Sequence, residues 1–175
     1  GFTIVLGPNG SGKTTLLKVL HGVERLSSGT VTWSVPQSQA QQEQAYVFQR
    51  PIMLRRSVRQ NLAYPLQLRG VAKDLIAREV AHWAAQVGLG DLLDEPCANL
   101  DGRSIREIET ILRSANQNGT RIIMTTHDLG QARRLASDVI FLLNGHIHEH
   151  GLAPQIFSAP QSQEAKAFFQ GDIVE

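Results

Sequence analysis

The chain has 175 residues and a mass of 19.3 kDa, enough for one domain that buries roughly 70% of its unfolded surface. Seventeen basic residues stand against 16 acidic ones, so no nucleic-acid partner is expected, and the lone cysteine, Cys97, excludes an internal disulfide and fits a reducing setting. No apolar run approaches the roughly 18 residues of a membrane span, and Phe2 to Leu6 is too short for a signal peptide, so any membrane role is expected to run through a partner.

Phe2 to Leu6 reads as a strand and leads straight into GPNGSGKTT. That stretch, Gly7, Pro8, Asn9, Gly10, Ser11, Gly12, Lys13, Thr14 and Thr15, fits G-x-x-x-x-G-K-[ST] in the strand-to-helix context the motif requires. Gly10 and Gly12 carry no Cβ, so the backbone can wrap around phosphates with its N–H groups turned inward. The following helix adds the positive end of its dipole, Lys13 reaches the β/γ-phosphates, and the Thr14 hydroxyl is placed to ligate Mg²⁺. A nucleoside triphosphate is therefore the expected ligand. Because the chain opens on glycine and its first strand already feeds this loop, a further segment is expected upstream.

Lys13 to His21 reads as a helix with Leu16, Leu17 and Leu20 on one face, closed by Gly22. Leu26 to Thr30 is a turn into a short strand, Thr30 to Val35, and the Gln-rich Ser34 to Gln44 has a loop composition. Ala45 to Phe48 is a β-type run that ends on Gln49, and Pro51 stops it. Ser57 to Gly70 and Lys73 to Gly88 are helical, Val80, Trp83, Ala84 and Val87 marking one face of the second segment. Gly88 to Asp91 breaks that helix and Leu92-Leu-Asp-Glu-Pro96 follows at once. Arg103 to Gln117 is a helix with Ile105, Ile108, Ile111 and Leu112 as its buried stripe. Thr120 to Thr126 is a strand finishing on His127, and Asp128 is an N-cap for a helix through Leu135. Val139 to Leu143 and His146 to His150 form a hairpin around Asn144-Gly145, the preferred type I′ pair. The tail from Pro154 carries a helical segment around Phe168 and Phe169 that packs back on the body. The expected fold is one α/β domain over residues 1–175, a parallel-sheet core with a helical insert at about 57–90 and a hairpin and tail at about 139–175.

Further residues point to phosphoryl transfer to water. Asp94 and Glu95 stand where the carboxyl end of a strand is expected beside the phosphate loop. Asp94 would hold Mg²⁺ through water, and Glu95 would polarise the attacking water as a general base; the alternative is an acidic turn before Pro96. Gln49 has an amide able to touch both the Mg²⁺ shell and the water, and His127 could donate to the γ-phosphate or hold the water. Ala98-Asn-Leu-Asp101 would be a loop linking the site to a second subunit.

GPNGSGKTT, then Gln49, LDEPCANLD and TTHD together resemble the ATPase subunit of an ABC transporter, with Walker A, Q-loop, Walker B, D-loop and H-loop in family order. The resemblance covers nearly the whole chain and implies a P-loop NTPase fold with ATP and Mg²⁺ as cofactors. It also implies a homodimer sandwiching two ATP molecules against transmembrane permease subunits on the cytoplasmic side of the membrane, served indirectly by an extracellular or periplasmic solute-binding protein. VFQRPIMLRRSV and the tail from Phe157 to Glu175 are similar to importer subunits for oxyanions such as tungstate, molybdate or phosphate.

The chain departs from that pattern in two places. The LSGGQ-like signature expected before Asp94 is absent, Leu26-Ser-Ser-Gly29 being a turn in the wrong place, and the join Gly90-Asp-Leu-Leu-Asp94 leaves almost no apolar strand. An internal loss accounts for both. The family's adenine-stacking aromatic, which lies upstream of the first strand, is missing too. With the Walker B strand expected next to the phosphate-loop strand, either Leu89 to Leu93 extends to fill the gap or the Thr120 to Thr126 strand shifts across. Weak Mg-ATP binding with poor hydrolysis is expected, or nucleotide binding with no turnover at all; a small-molecule kinase leaves Gln49, ANLD and His127 without a role. His146, His148 and His150 alternate, as a metal site or a solvent-facing edge strand would have them. Cys97 is expected to be a small buried residue, and Trp33 and Trp83 to fill packing sites.

Overall fold

The computed structural model describes residues 1–47, 54–94 and 105–171. They form two compact units, one built from both ends of the chain, residues 1–46 and 115–175, and one from residues 47–114.

The first unit is a four-stranded sheet with β1 (Phe2–Leu6) inside it, in the order β2 (Ile122–Thr125), β1, β3 (Asp138–Leu143), β4 (His146–Leu152). β1 runs parallel to both neighbours, with Val5 opposite Thr125 on one side and Leu6 opposite Phe141 on the other. All five of its residues are buried, which is why its sequence is a nearly continuous apolar run rather than an alternation. Helix α1 (Lys13–His21) follows the phosphate loop, and α2 (Gln37–Gln42) comes next in the chain. α6 (Leu129–Leu135) carries the chain from β2 across β1 to β3. Asp128 caps it by accepting the Gln131 N–H at 2.9 Å, as the sequence suggested.

β3 and β4 are joined through Asn144 and Gly145, at φ of +49° and +77° as a type I′ turn requires. A bulge between Phe141 and Leu142 leaves His148 outside the register, because Phe141 pairs with Glu149 and Leu142 with Ile147. The bulge reverses the alternation, so His146 and His150 fall on opposite faces of the strand and the three histidines do not form one row. Among the described residues no cluster of histidine, cysteine or acidic side chains could hold a metal.

The tail folds back on the sheet as α7 (Ala153–Ser158) and α8 (Gln163–Gln170). Phe168 and Phe169 place their rings 5.3 and 6.0 Å from that of the fully buried Phe141, and Arg133 lies over the Phe157 ring at 4.7 Å. Glu149, buried on β4, accepts the Ser162 N–H at the start of α8. Burial pushes its carboxyl up, but hydrogen bonds from Ser162 and Gln161, with the Lys166 charge, outweigh that and hold it below its ordinary value.

The second unit is helical. α3 (Val58–Leu68) opens on a capping box in which Ser57 accepts the Gln60 N–H and the Gln60 side chain accepts that of Ser57. α4 (Lys73–Gln86) packs against it, and Val58, Ala63, Ile76, Val80, Ala84 and Leu93 form the core between them. α5 (Ile105–Gln117) starts in this unit and ends in the first.

Several expectations are corrected. Thr30 to Val35 forms no strand and lies largely exposed, and neither do residues 45–47. The Gln-rich stretch expected as a loop contains α2, because Pro36 presets the entry at φ −52° and glutamine is a good helix former. Leu89 to Leu93 does not extend as a strand. It makes a 3₁₀ turn over Gly90–Leu92, because Leu93 is drawn into the helical core and its carbonyl accepts the Arg59 N–H at 2.7 Å. The strand beside the phosphate-loop strand is β2, the second of the two outcomes the sequence allowed. Trp33 and Trp83 are more than a third exposed rather than filling packing sites, and so is Ile111 of the expected α5 stripe.

The Glu149 contact has a defined pH response. A carboxyl held below its ordinary value of 4.5 stabilises fully above that pH and ceases to do so as pH falls through its lower folded value. Protection of the α8 amides against hydrogen exchange is expected to fall on acidification below about pH 4.5. Glu149→Gln should already be weaker at pH 7, by about 1–3 kcal/mol, and show no such acid step.

Candidate functional site

The phosphate loop stands where β1 leaves the sheet. Gly7, at φ +147°, passes so close to β3 that a Cβ there would lie 2.0 Å from the Leu142 carbonyl oxygen and 2.9 Å from Ser11 Oγ. No other residue fits that position, and the loop therefore rests on the end of β3. Ser11 is 1% exposed, its N–H reaches the Pro8 carbonyl at 3.4 Å, and its carbonyl accepts the Gly145 N–H of the hairpin turn at 3.1 Å. Gly12 is the N-cap of α1 in the left-handed region, with no side chain over the helix end.

Lys13 is buried, and its Nζ donates to the carbonyls of Gly7 at 2.8 Å and Pro8 at 2.7 Å. Burial pushes its ammonium below the ordinary lysine value. The charge is thus curled inside the loop, next to the first N–H groups of α1, while Thr14 and Thr15 are exposed at the same helix end. Ser11 Oγ is buried with no hydrogen-bond partner among the described residues. Among the described residues, an orphaned hydroxyl, a lysine that donates to two carbonyls and a helix N-terminus with no side-chain cap form one set of donors, which fits a polyphosphate.

His127 leaves the same end of the sheet. Because Thr125 of β2 pairs with Val5 of β1, the chain beyond both strands emerges on one edge, with His127 exposed on the bend before α6. Asp94 belongs to the second unit, where its carboxylate takes Arg59 in a two-point contact, Nε to Oδ1 at 2.9 Å and Nη2 to Oδ2 at 3.2 Å. That contact holds the Asp94 carboxyl below its ordinary value, by hydrogen bond first and charge second. Asp94 therefore follows a turn instead of the strand end expected for it. Gln49, Glu95, Cys97 and the Ala98 to Asp101 loop lie outside the described residues. Leu142 and Gly145, which form the floor under the loop, were not singled out in the sequence; the Asn-Gly pair was visible there only as a hairpin signal.

Residues 2–135 match the family model of the ABC transporter. This chain belongs to the ABC transporter family. Among its relatives it is 32% identical to a tungstate uptake system ATP-binding protein of Peptoclostridium acidaminophilum, over 84% of each chain. It is 28% identical to a phosphate import ATP-binding protein of Natronomonas pharaonis, over 97% of this chain and 77% of that one. A probable anion import ATP-binding protein of Haloferax volcanii is 27% identical over the same shares. The last two alignments extend over 218 and 222 residues, longer than this chain itself, so both relatives carry internal stretches that it lacks. In fold it is similar to cbiO1 of Clostridium perfringens, part of the ABC transporter complex cbiONQ, with a TM-score of 0.75 at 21% identity over 90% of this chain and 79% of that one. The match places the chain in the family of ABC importer ATP-binding subunits, a family that works with membrane permease components.

The close approach at Gly7 makes a measurable contrast. Gly10 has nothing within 4 Å of an added Cβ, so Gly10→Ala should cost only the left-handed backbone penalty, about 1–2 kcal/mol. Gly7→Ala should cost more than twice as much in chemical denaturation, because the end of β3 has to move.

Proposed function

We propose that this chain binds ATP with Mg²⁺ as the energising subunit of an oxyanion importer, of the tungstate or phosphate class, and that it hydrolyses ATP slowly. The observation that carries the nucleotide part is the phosphate loop with Lys13 Nζ curled inside it at 2.7 and 2.8 Å from two loop carbonyls. The solute class follows the printed names of the tungstate, phosphate and anion import relatives. In this reading Thr14, Gln49 and Asp94 hold Mg²⁺, Glu95 is the general base, and Gln49 and His127 orient the attacking water. The ion supplies charge neutralisation at the β- and γ-oxygens when it is bound. Asp94, paired with Arg59 in this structure, would hold the ion through water.

Slow turnover rests on what the residues omit. The signature segment is missing, and loss of one preorganised donor costs roughly 10²–10³ in rate. Asp94 on a turn rather than at a strand end favours, as a second reading, a module that binds nucleotide without turnover. The partners proposed are a second copy of the chain, transmembrane permease subunits and, indirectly, a solute-binding protein. The proposed location is peripheral, on the cytoplasmic face of the membrane; among the described residues no helix is long and apolar enough to cross it.

Equilibrium binding and single-turnover hydrolysis on the purified chain separate these readings. Saturable Mg-ATP binding with slow phosphate release, little changed by Glu95→Gln, is expected. Binding with no phosphate release at all selects the second reading, whereas brisk turnover that Glu95→Gln abolishes refutes the proposal of impaired hydrolysis. Lys13→Ala should remove most of the binding in either case.

A further inference from the structure

The floor of the phosphate loop is made by the hairpin. Gly145 N–H reaches the Ser11 carbonyl at 3.1 Å, and a Cβ at Gly12 would lie 3.5 Å from Leu142 Cδ2 and 3.7 Å from the Gly145 Cα. We propose that the Asn144-Gly145 turn is a positioning element for nucleotide binding, acting through the peptide that joins Ser11 to Gly12. A trans peptide is planar, with its C=O and N–H pointing in opposite directions. Drawing the Ser11 carbonyl down onto Gly145 therefore turns the Gly12 N–H away from the hairpin, toward the side where a phosphate oxygen is received. Without that tether the peptide can rotate, and a donor has to be ordered when the ligand arrives, at a cost in affinity.

The turn is suited to the task by its backbone. Asn144 is the one non-glycine residue at positive φ among the described residues, and with Gly145 it forms the tight turn that aims the Gly145 N–H back at the loop rather than along the ladder. The hairpin is itself anchored, since β3 pairs with β1 along the residues that precede the loop and β4 is tied to α8 through Glu149. Gly145 has no atom within 4 Å of an added Cβ, so packing alone does not require glycine there; the positive φ of the turn does.

This inference rests on the reading that the loop receives a nucleoside triphosphate. The test replaces Gly145 by glycolic acid in the full chain, which exchanges its N–H for an ester oxygen and keeps the freedom at φ. Asn144→Val, which disfavours the turn, and Asn144→Gly, which preserves it, accompany the ester. The ester and Asn144→Val are expected to weaken Mg-ATP binding about tenfold and to lower the NMR order parameter of the Gly12 amide in the nucleotide-free chain, with Asn144→Gly close to the unmodified protein. Unmodified protein that fails to bind Mg-ATP overturns the reading of the loop. Unmodified protein that binds, beside an ester variant with the same affinity, overturns the role of the turn. An unchanged order parameter at the Gly12 amide in the ester variant overturns it as well, independently of nucleotide.

Discussion

The contact that the site depends on is the approach of one backbone to another, Gly7 against the carbonyl of Leu142. With room for no Cβ between them, the chain leaving β1 lies on the end of β3 before it turns into α1. From that constraint follow the tightness of the loop and the curl of Lys13 back onto the Gly7 and Pro8 carbonyls. The donor set is a product of the sheet as much as of the loop. β1 is buried along its whole length, so the loop starts from an element with little freedom to shift.

The helical unit shows the opposite economy. Leu93, which a sheet could have used in a strand, is buried instead with Val58, Ala63, Ile76, Val80 and Ala84, and its carbonyl takes the Arg59 N–H. Gly88 and Gly90 on either side of Leu89 favour turning over extension, and a stretch so short gains more from one apolar core than from partial pairing. Asp94 consequently emerges from a turn beside Arg59. β2 takes the place next to β1, at the end of the strand order, and its Ile123 is 39% exposed.

How much of this was legible in the sequence depended on range. Lys13 to His21, the Asp128 cap and the Asn144-Gly145 turn were readable because their causes sit within a few residues: a glycine-lysine junction, a side-chain acceptor at the right offset, a pair suited to positive φ. Thr30 to Val35 has a strand composition but forms no strand, because β-type residues pair only when a partner edge is present, and none stands beside them among the described residues. The histidine alternation was real in the sequence, but a single bulged residue at His148 undid it. Trp83 shares the spacing of the buried stripe of α4, yet its indole N–H donates to Glu79 and the residue is half exposed.

By itself the sequence determined the phosphate loop, the order of the motifs and hence the family, because these reside in short stretches whose chemistry is carried by residue type and spacing. The tertiary structure decided which strand lies beside β1, where Asp94 points, and what the loop rests on. Those outcomes depend on competition between pairings of residues far apart in the chain, Gly7 with Leu142, Ser11 with Gly145, Leu93 with Val58. Such competition is resolved by the geometry of the whole sheet and the helical core, and local composition carries no record of it.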